Sequence, residues 1–225
     1  MHFSPLALAG VLAHSALAHA DIESFNSDAF DLSGALDREV SATRTSVEIA
    51  VGGGYTQGVG GAGSYGSVED ITGPGGTIEL QLGMRFSPQF SLGVYGTLAR
   101  FRHGDQFADG SSAHGATAGI HAVWHSRSSR ALDPWISAGA GWRGLWLSPS
   151  DATAMSVHGI ELLRIQAGID YRFTPWFSIA PVIGLSASLF LVEGTATAAE
   201  RMTLHDNRLN LYGYTGLLGR FDIGG

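Results

Sequence analysis

Gly76–Phe86 reads GTIELQLGMRF. Ile78, Leu80, Leu82, Met84 and Phe86 alternate with Thr77, Glu79, Gln81, Gly83 and Arg85. A side-chain period of two is the pattern of a strand with one apolar and one polar face. The alternation returns between Gly159 and Phe173, where Leu163, Ile165, Ala167, Ile169, Tyr171 and Phe173 fall on one face. Leu162, Arg164, Gln166, Gly168, Asp170 and Arg172 fall on the other. Soluble strands usually run about five or six residues. These runs match the ~9–11 that a tilted strand needs to cross a bilayer. Eight such stretches are found, at 45–55, 76–86, 90–102, 113–125, 135–147, 159–173, 176–190 and 208–221.

The connections alternate in length. Ser87-Pro88-Gln89, Thr174-Pro175 and the polar stretch Ser126 to Pro134 are short turns. The links 56–75, 103–112, 148–158 and 191–207 are longer and rich in Gly, Ser, Thr and Asp. Four long loops alternating with three short turns predict an all-β, eight-stranded antiparallel up-and-down transmembrane β-barrel, loops outside and turns in the periplasm. A repeat supports the count. Arg85-Phe86-Ser87-Pro88-Gln89-Phe90-Ser91-Leu92-Gly93 matches Arg172-Phe173-Thr174-Pro175-Trp176-Phe177-Ser178-Ile179-Ala180, with a weaker copy at Pro134 to Gly139. Phe86, Phe90, Trp124, Trp135, Phe173, Trp176, Phe177 and Phe221 gather beside the turns or at the last strand's end, as a girdle at headgroup level. Trp146 is placed near the opposite rim.

Composition agrees. Of 225 residues 32 are Gly, only 15% are charged, and the 13 basic residues are all arginine. The formal charge of −7 speaks against a nucleic-acid binder. With no cysteine there are no disulfides, thiolate metal sites or cysteine nucleophiles. Residues 1–20 carry no Asp, Glu, Lys or Arg and end Ala18-His19-Ala20, so they read as a signal peptide cleaved before Asp21. Residues 21–42 form an acidic periplasmic segment, and 43–225 the barrel.

With the apolar phase facing lipid, the inward phase collects Glu48, Glu79, Arg85, His121, Arg143, Arg164, Asp170, Arg172 and Arg220. An eight-stranded barrel is just wide enough for side chains to fill it. Charges buried there must be paired, with Glu48, Glu79 and Asp170 as the available acids. The bland reading is a structural salt-bridge plug; the sharper one is a gated ion path. Arg100 and Arg102 sit on the apolar phase at the outer end of their strand, where arginine could meet lipopolysaccharide phosphates.

Other motifs carry less. GxGxxG occurs at Gly58–Gly63 and at Gly139–Gly144, but neither copy opens a helix after a strand, as a dinucleotide site requires. His103, His114, His158 and His205 lie near the long loops without HxxxH or HxH spacing, so no metal is expected. His125-Ser126-Arg127-Ser128 lies at a periplasmic turn and lacks an evident acid for a hydrolase. Pro181, inside a strand, hints at a break in the ladder and a sideways conduit.

Over residues 43–225 the alternation, repeat and girdle resemble the small eight-stranded outer-membrane barrels of Gram-negative bacteria, the OmpA-like and OmpX-like group. The resemblance implies an outer-membrane location, contact with lipid and lipopolysaccharide, delivery by the barrel-assembly machinery, a monomer and no cofactor. It also implies a non-enzymatic structural or surface-interaction role carried by the loops. A narrow conduit and a lipid A-modifying enzyme are the alternatives. One departure is that Phe221, where the group often ends in an aromatic residue, is followed by Asp222-Ile223-Gly224-Gly225.

Overall fold

The structure, a computed structural model, describes residues 38–42, 45–62, 66–104, 109–150, 153–195, 202–203 and 208–224. The expected signal peptide and most of the acidic segment lie outside them. The strands are β1 (Ser46–Gly60), β2 (Thr72–Ser87), β3 (Phe90–His103), β4 (Ser112–His125), β5 (Leu132–Ser148), β6 (Met155–Thr174), β7 (Phe177–Thr195), β8 (Met202–Thr203) and β9 (Leu209–Ile223). One turn of helix, α1 (Val68–Ile71), precedes β2.

Consecutive strands pair antiparallel from β1 to β7, and β9 pairs with both β7 and β1, closing a ring of eight staves. The two-residue β8 is an added pairing on β7. Closure removes every sheet edge, the condition a β structure must meet in hydrocarbon. The outer face is apolar: Ile78, Leu98, Ile120 and Ile183 are each more than 60% exposed. A belt of large exposed apolar side chains around a polar interior is the inverse of a water-soluble domain and is the surface of a lipid-facing barrel.

The strands are longer than the alternation predicts, chiefly at the loop end. β1 continues to Gly60, β2 starts at Thr72, β6 at Met155, and β7 reaches Thr195. Glycine contributes to neither face, so Gly58, Gly60 and Gly75 hide the period while their backbones stay in the ladder. At the other end Asp222 and Ile223 extend β9, with Asp222 buried and Ile223 outward.

Two phase assignments change. In β6, Glu161 pairs with Ser188 and Leu163 with Ala187, so Leu162 is a bulge and faces lipid beside Leu163. Leu162 therefore does not share the inward face of Arg164, and Glu161 does. Trp135 is buried, 4% exposed, and is not part of the outer girdle. Pro181 points outward in register with Leu217 of β9; its missing N–H interrupts only the β6 side, between the pairs Gly168–Val182 and Tyr171–Ile179. Asp170, behind that gap, is fully buried, so the wall stays shut there.

Candidate functional site

The lumen is built in layers. At the turn end, β2, β6 and β9 deliver Arg85, Arg172 and Arg220, each no more than 1% exposed. Their acids come from the adjacent strand or from two strands along the ring. Arg85 Nη2 is 2.8 Å from Glu48 Oε2, and Arg220 Nη1 is 2.9 Å from Asp170 Oδ2. Arg172 bridges Asp133 at 3.0 Å and Asp222 at 3.3 Å. Arg220 also lies over the Trp135 ring, 4.9 Å from its centroid, and Trp135 Nε1 donates to Asp170 Oδ1 at 3.2 Å. Asp133 and Asp222 were not among the acids foreseen. Asp133 is hidden in a polar turn, and Asp222 follows the last apolar residue of the periodic run.

His125 lies at the centre of this layer, fully buried. Its Nδ1 is 2.8 Å from Asp133 Oδ2, while Arg220 Nη1 is 3.0 Å from its Nε2. A guanidinium only donates, so Nε2 accepts and Nδ1–H donates to the acid. The acid that a hydrolase would need is therefore present, but the place of a serine hydroxyl is taken by arginine. His125, Asp133 and Asp170 also place one ligand atom each within 4.8 Å of one another. The same atoms already serve Arg172, Arg220 and Trp135, so a cation there would sit against two guanidinium groups.

The middle layer is a second, separate network. Arg143 Nη2 donates to Glu161 Oε1 at 2.7 Å and to Ser186 Oγ at 2.8 Å. Arg164 Nη2 donates to Glu79 Oε2 at 2.8 Å, and Gln81 and Gln166 donate to the same carboxylate. Tyr95 donates its hydroxyl proton to Glu161 at 2.5 Å. Gly119 makes room for that tyrosine, since a Cβ there would lie 2.6 Å from its hydroxyl oxygen. His121, also foreseen as inward, is buried against the Tyr95 ring, centroids 5.8 Å apart.

Apolar residues close the loop end, a feature that the reading of the inward phase missed. Phe101, Leu145, Leu147, Val157, Phe190 and Tyr212 form one buried cluster with Val68 and Ile71 of α1. The helix is folded into the mouth by a capping box in which Ser67 N donates to Asp70 Oδ2 and Asp70 N to Ser67 Oγ. Gly104 N donates to Ile71 O at 2.9 Å and ties the helix to the end of β3. Between this lid and the middle layer a cavity of about 40 Å³ remains, lined by Thr77, Thr117, Arg143, Arg164, Tyr212 and Tyr214 among others. That is space for a few water molecules.

Arg100 and Arg102 are both exposed on the outer face of β3, near the loop end. They take no part in either interior network. Arg100 stands directly opposite His114 of β4, also exposed.

At the turn end, residues 38–42 lie along the β4–β5 connection. Ala131 N donates to Arg38 O at 2.9 Å, Ala42 N to Ser128 O at 2.7 Å, and Arg38 Nη2 to Arg172 O at 2.6 Å.

No family model and no curated protein matches the sequence. Solved structures do match in shape. Neisserial surface protein A is similar at a TM-score of 0.55 and 13% identity, over 80% of this chain and 100% of that one. The outer membrane protein OprG from Pseudomonas aeruginosa matches at a TM-score of 0.46 and 8% identity, over 81% of this chain and 99% of that one. Ail, the attachment invasion locus protein of Yersinia pestis, matches at 0.43 and 17% identity, over 80% and 100%. What this chain shares with Neisserial surface protein A is the eight-stranded barrel fold of small outer-membrane proteins.

Proposed function

We propose that this protein resides in the outer membrane as a closed, non-enzymatic barrel whose role is structural or interactive and is carried by the loop end. The observation that carries the reading is the filled lumen. Two arginine–carboxylate layers and an apolar lid leave a cavity of about 40 Å³, too little for a continuous aqueous path. The conduit alternative rested on Pro181, and its ladder gap is backed by the fully buried Asp170. The enzyme alternative rested on His125, which faces guanidinium groups in place of a nucleophile. Fold likeness does not choose a chemistry, but the groups that fill the lumen do.

The barrel crosses with its loops outside, its turns in the periplasm, and Arg100 and Arg102 at the outer-leaflet headgroup level. This orientation follows from the alternation of long links with the Pro88 and Pro175 turns. Tag accessibility on intact cells tests it. A tag at Gly110, in the exposed β3–β4 turn, is reachable and a tag at Gln89 is not. Labelling at Gln89 alone would overturn both the orientation and the surface role.

A further inference from the structure

From β1 to β5 the ladder row through Arg100 has one gap in its outward side chains. Going round the wall, Tyr55 pairs with Gly76, Gly76 with Arg100, Arg100 with His114, and His114 with Trp146. Tyr55, Arg100, His114 and Trp146 are all exposed, so a phenol, a guanidinium, an imidazole and an indole lie along one row of the ladder. Gly76 alone offers no side chain. The nearest atom to a Cβ built on it is Gly54 O at 4.0 Å, so the space over it is open.

That gap is the floor of a trough. Its upper part, about 830 Å³, runs between Tyr55 and Pro74 on one side and Arg100 and Arg102 on the other. Its lower part, about 440 Å³, descends past Ile78 and Leu98, which are 61% and 62% exposed. Cationic at the rim and apolar below, the trough has the polarity of a single phosphorylated lipid standing in its leaflet. Among the described residues no carboxylate lies within ion-pair distance of Arg100 or Arg102. Their charge at a lipid-facing rim is thus left for an external anion. Arginine suits a phosphate because its planar fork bonds two oxygens at once.

We infer that this trough binds one phosphate-bearing, acylated lipid of the outer leaflet, with the headgroup on Arg100, Arg102 and His114 and an acyl chain over Gly76 between Ile78 and Leu98. The inference rests on the orientation proposed above and names the partner of that rim. Arg100 and Arg102 recognise the phosphate; Gly76 sets the shape that admits the chain. Phosphate without a chain forfeits the trough, and a chain without phosphate forfeits the rim.

The test uses the full chain in phosphatidylcholine nanodiscs, titrated with the bis-phosphorylated acylated disaccharide that anchors lipopolysaccharide, with bound lipid counted by native mass spectrometry. Arg100→Gln with Arg102→Gln is expected to weaken binding about tenfold or more, the loss that goes with charge-assisted hydrogen bonds. Gly76→Phe, whose Cβ would lie 4.0 Å from its nearest atom, puts a ring in the trough and is expected to weaken binding severalfold, with both arginines intact. Millimolar inorganic phosphate leaves the lipid bound, and the dephosphorylated lipid binds no better than phosphatidylcholine. Undiminished binding by Gly76→Phe, displacement by phosphate alone, or equal binding of the dephosphorylated lipid each overturns the inference. Should the double variant fail to fold, Arg102→Gln alone carries the rim test. Binding in a nanodisc is independent of orientation in cells, so the Gly110 and Gln89 tags report separately on the reading beneath it.

Discussion

Arg143 Nη2 lies 2.7 Å from Glu161 Oε1 inside the barrel, and the carboxylate is fully buried. Glu161 also takes the Tyr95 proton donor and lies 3.9 Å from Arg164, so one acid serves two cations and a phenol. Removing such an acid leaves guanidinium charge uncompensated in a buried interior. Glu161→Gln is therefore expected to cost about 3–5 kcal/mol of barrel stability. Adding Arg143→Met should restore part of that loss, because the stranded charge goes with it. Urea titration of protein refolded into vesicles, read by heat-modifiability on a gel, checks both. A double variant no more stable than the single one would show that the pair is not the coupled unit.

Glu161 and Arg164 face inward together because Leu162 is an extra residue on β6 relative to both its neighbours. Deleting Leu162 removes the bulge and leaves Glu161 in, Leu163 out and Arg164 in, as before. That deletion should still give a folded, heat-modifiable barrel. Deleting Ile169, in a regular part of the same strand, moves every residue on one side of it to the opposite face and should abolish folding. If both deletions fold, or both fail, the bulge does not set the phase.

How legible the sequence is follows from the same residues. Alternation in Ile78–Phe86 is unbroken, and there the sequence alone yields the face of every side chain. A bulge reads as two adjacent apolar residues, so Leu162-Leu163 offered no signal that Glu161 belonged inside. Asp133 and His125 flank a polar turn, where period two gives no information, yet both complete the turn-end network. The apolar lid was missed because Phe101, Leu145 and Phe190 are inward residues of ordinary strand type. Only the tertiary position of α1 distinguishes them from lipid-facing ones. Gly58, Gly60 and Gly75 hid strand, and Gly76 hid a surface feature as well.

Leu80 faces lipid near the middle of β2, 46% exposed. Leu80→Arg should cost ~2–4 kcal/mol, because the ion meets hydrocarbon at mid-depth. Leu80→Met should be nearly neutral on the same face. Folding free energies in vesicles decide the matter, and a neutral Leu80→Arg would place that face away from lipid.

Asp70, outside the strands, has its carboxyl held below the usual aspartate range by hydrogen bonds from Ser67, first its hydroxyl and then its backbone amide. A depressed pKa in the folded state contributes stability that is present above the unfolded value and lost as pH falls through the folded one. The capping box should therefore hold α1 in the mouth at neutral pH and release it only in acid, below about pH 4. Amide exchange at Val68–Ile71, corrected for its intrinsic pH dependence, should rise there while β2 and β3 stay protected. Ser67→Ala should bring the same local opening at neutral pH. Unchanged protection of α1 in acid would mean that the apolar contacts of Val68 and Ile71 hold the helix without its cap.

The filled lumen makes a prediction about conduction. An ion crossing the barrel would have to pass the apolar lid, then the Arg143–Glu161 and Arg164–Glu79 pairs, then the three turn-end arginines with their acids. Among the described residues no side-chain hydrogen bond or ion pair joins the middle layer to the turn-end layer, so opening one leaves the other shut. Purified protein in planar bilayers is expected to show no discrete current steps. Phe190→Ala with Phe101→Ala, which hollows the lid, should admit water to the middle cavity and still give no steps, because the arginine layers remain. Replacing Arg143, Glu161, Arg164 and Glu79 by alanine as well removes the middle barrier, leaving the turn-end cluster around His125 as the last obstruction. Steady ohmic current through the unaltered protein would show that these layers exchange partners fast enough to pass ions, and the closed-barrel reading would fall.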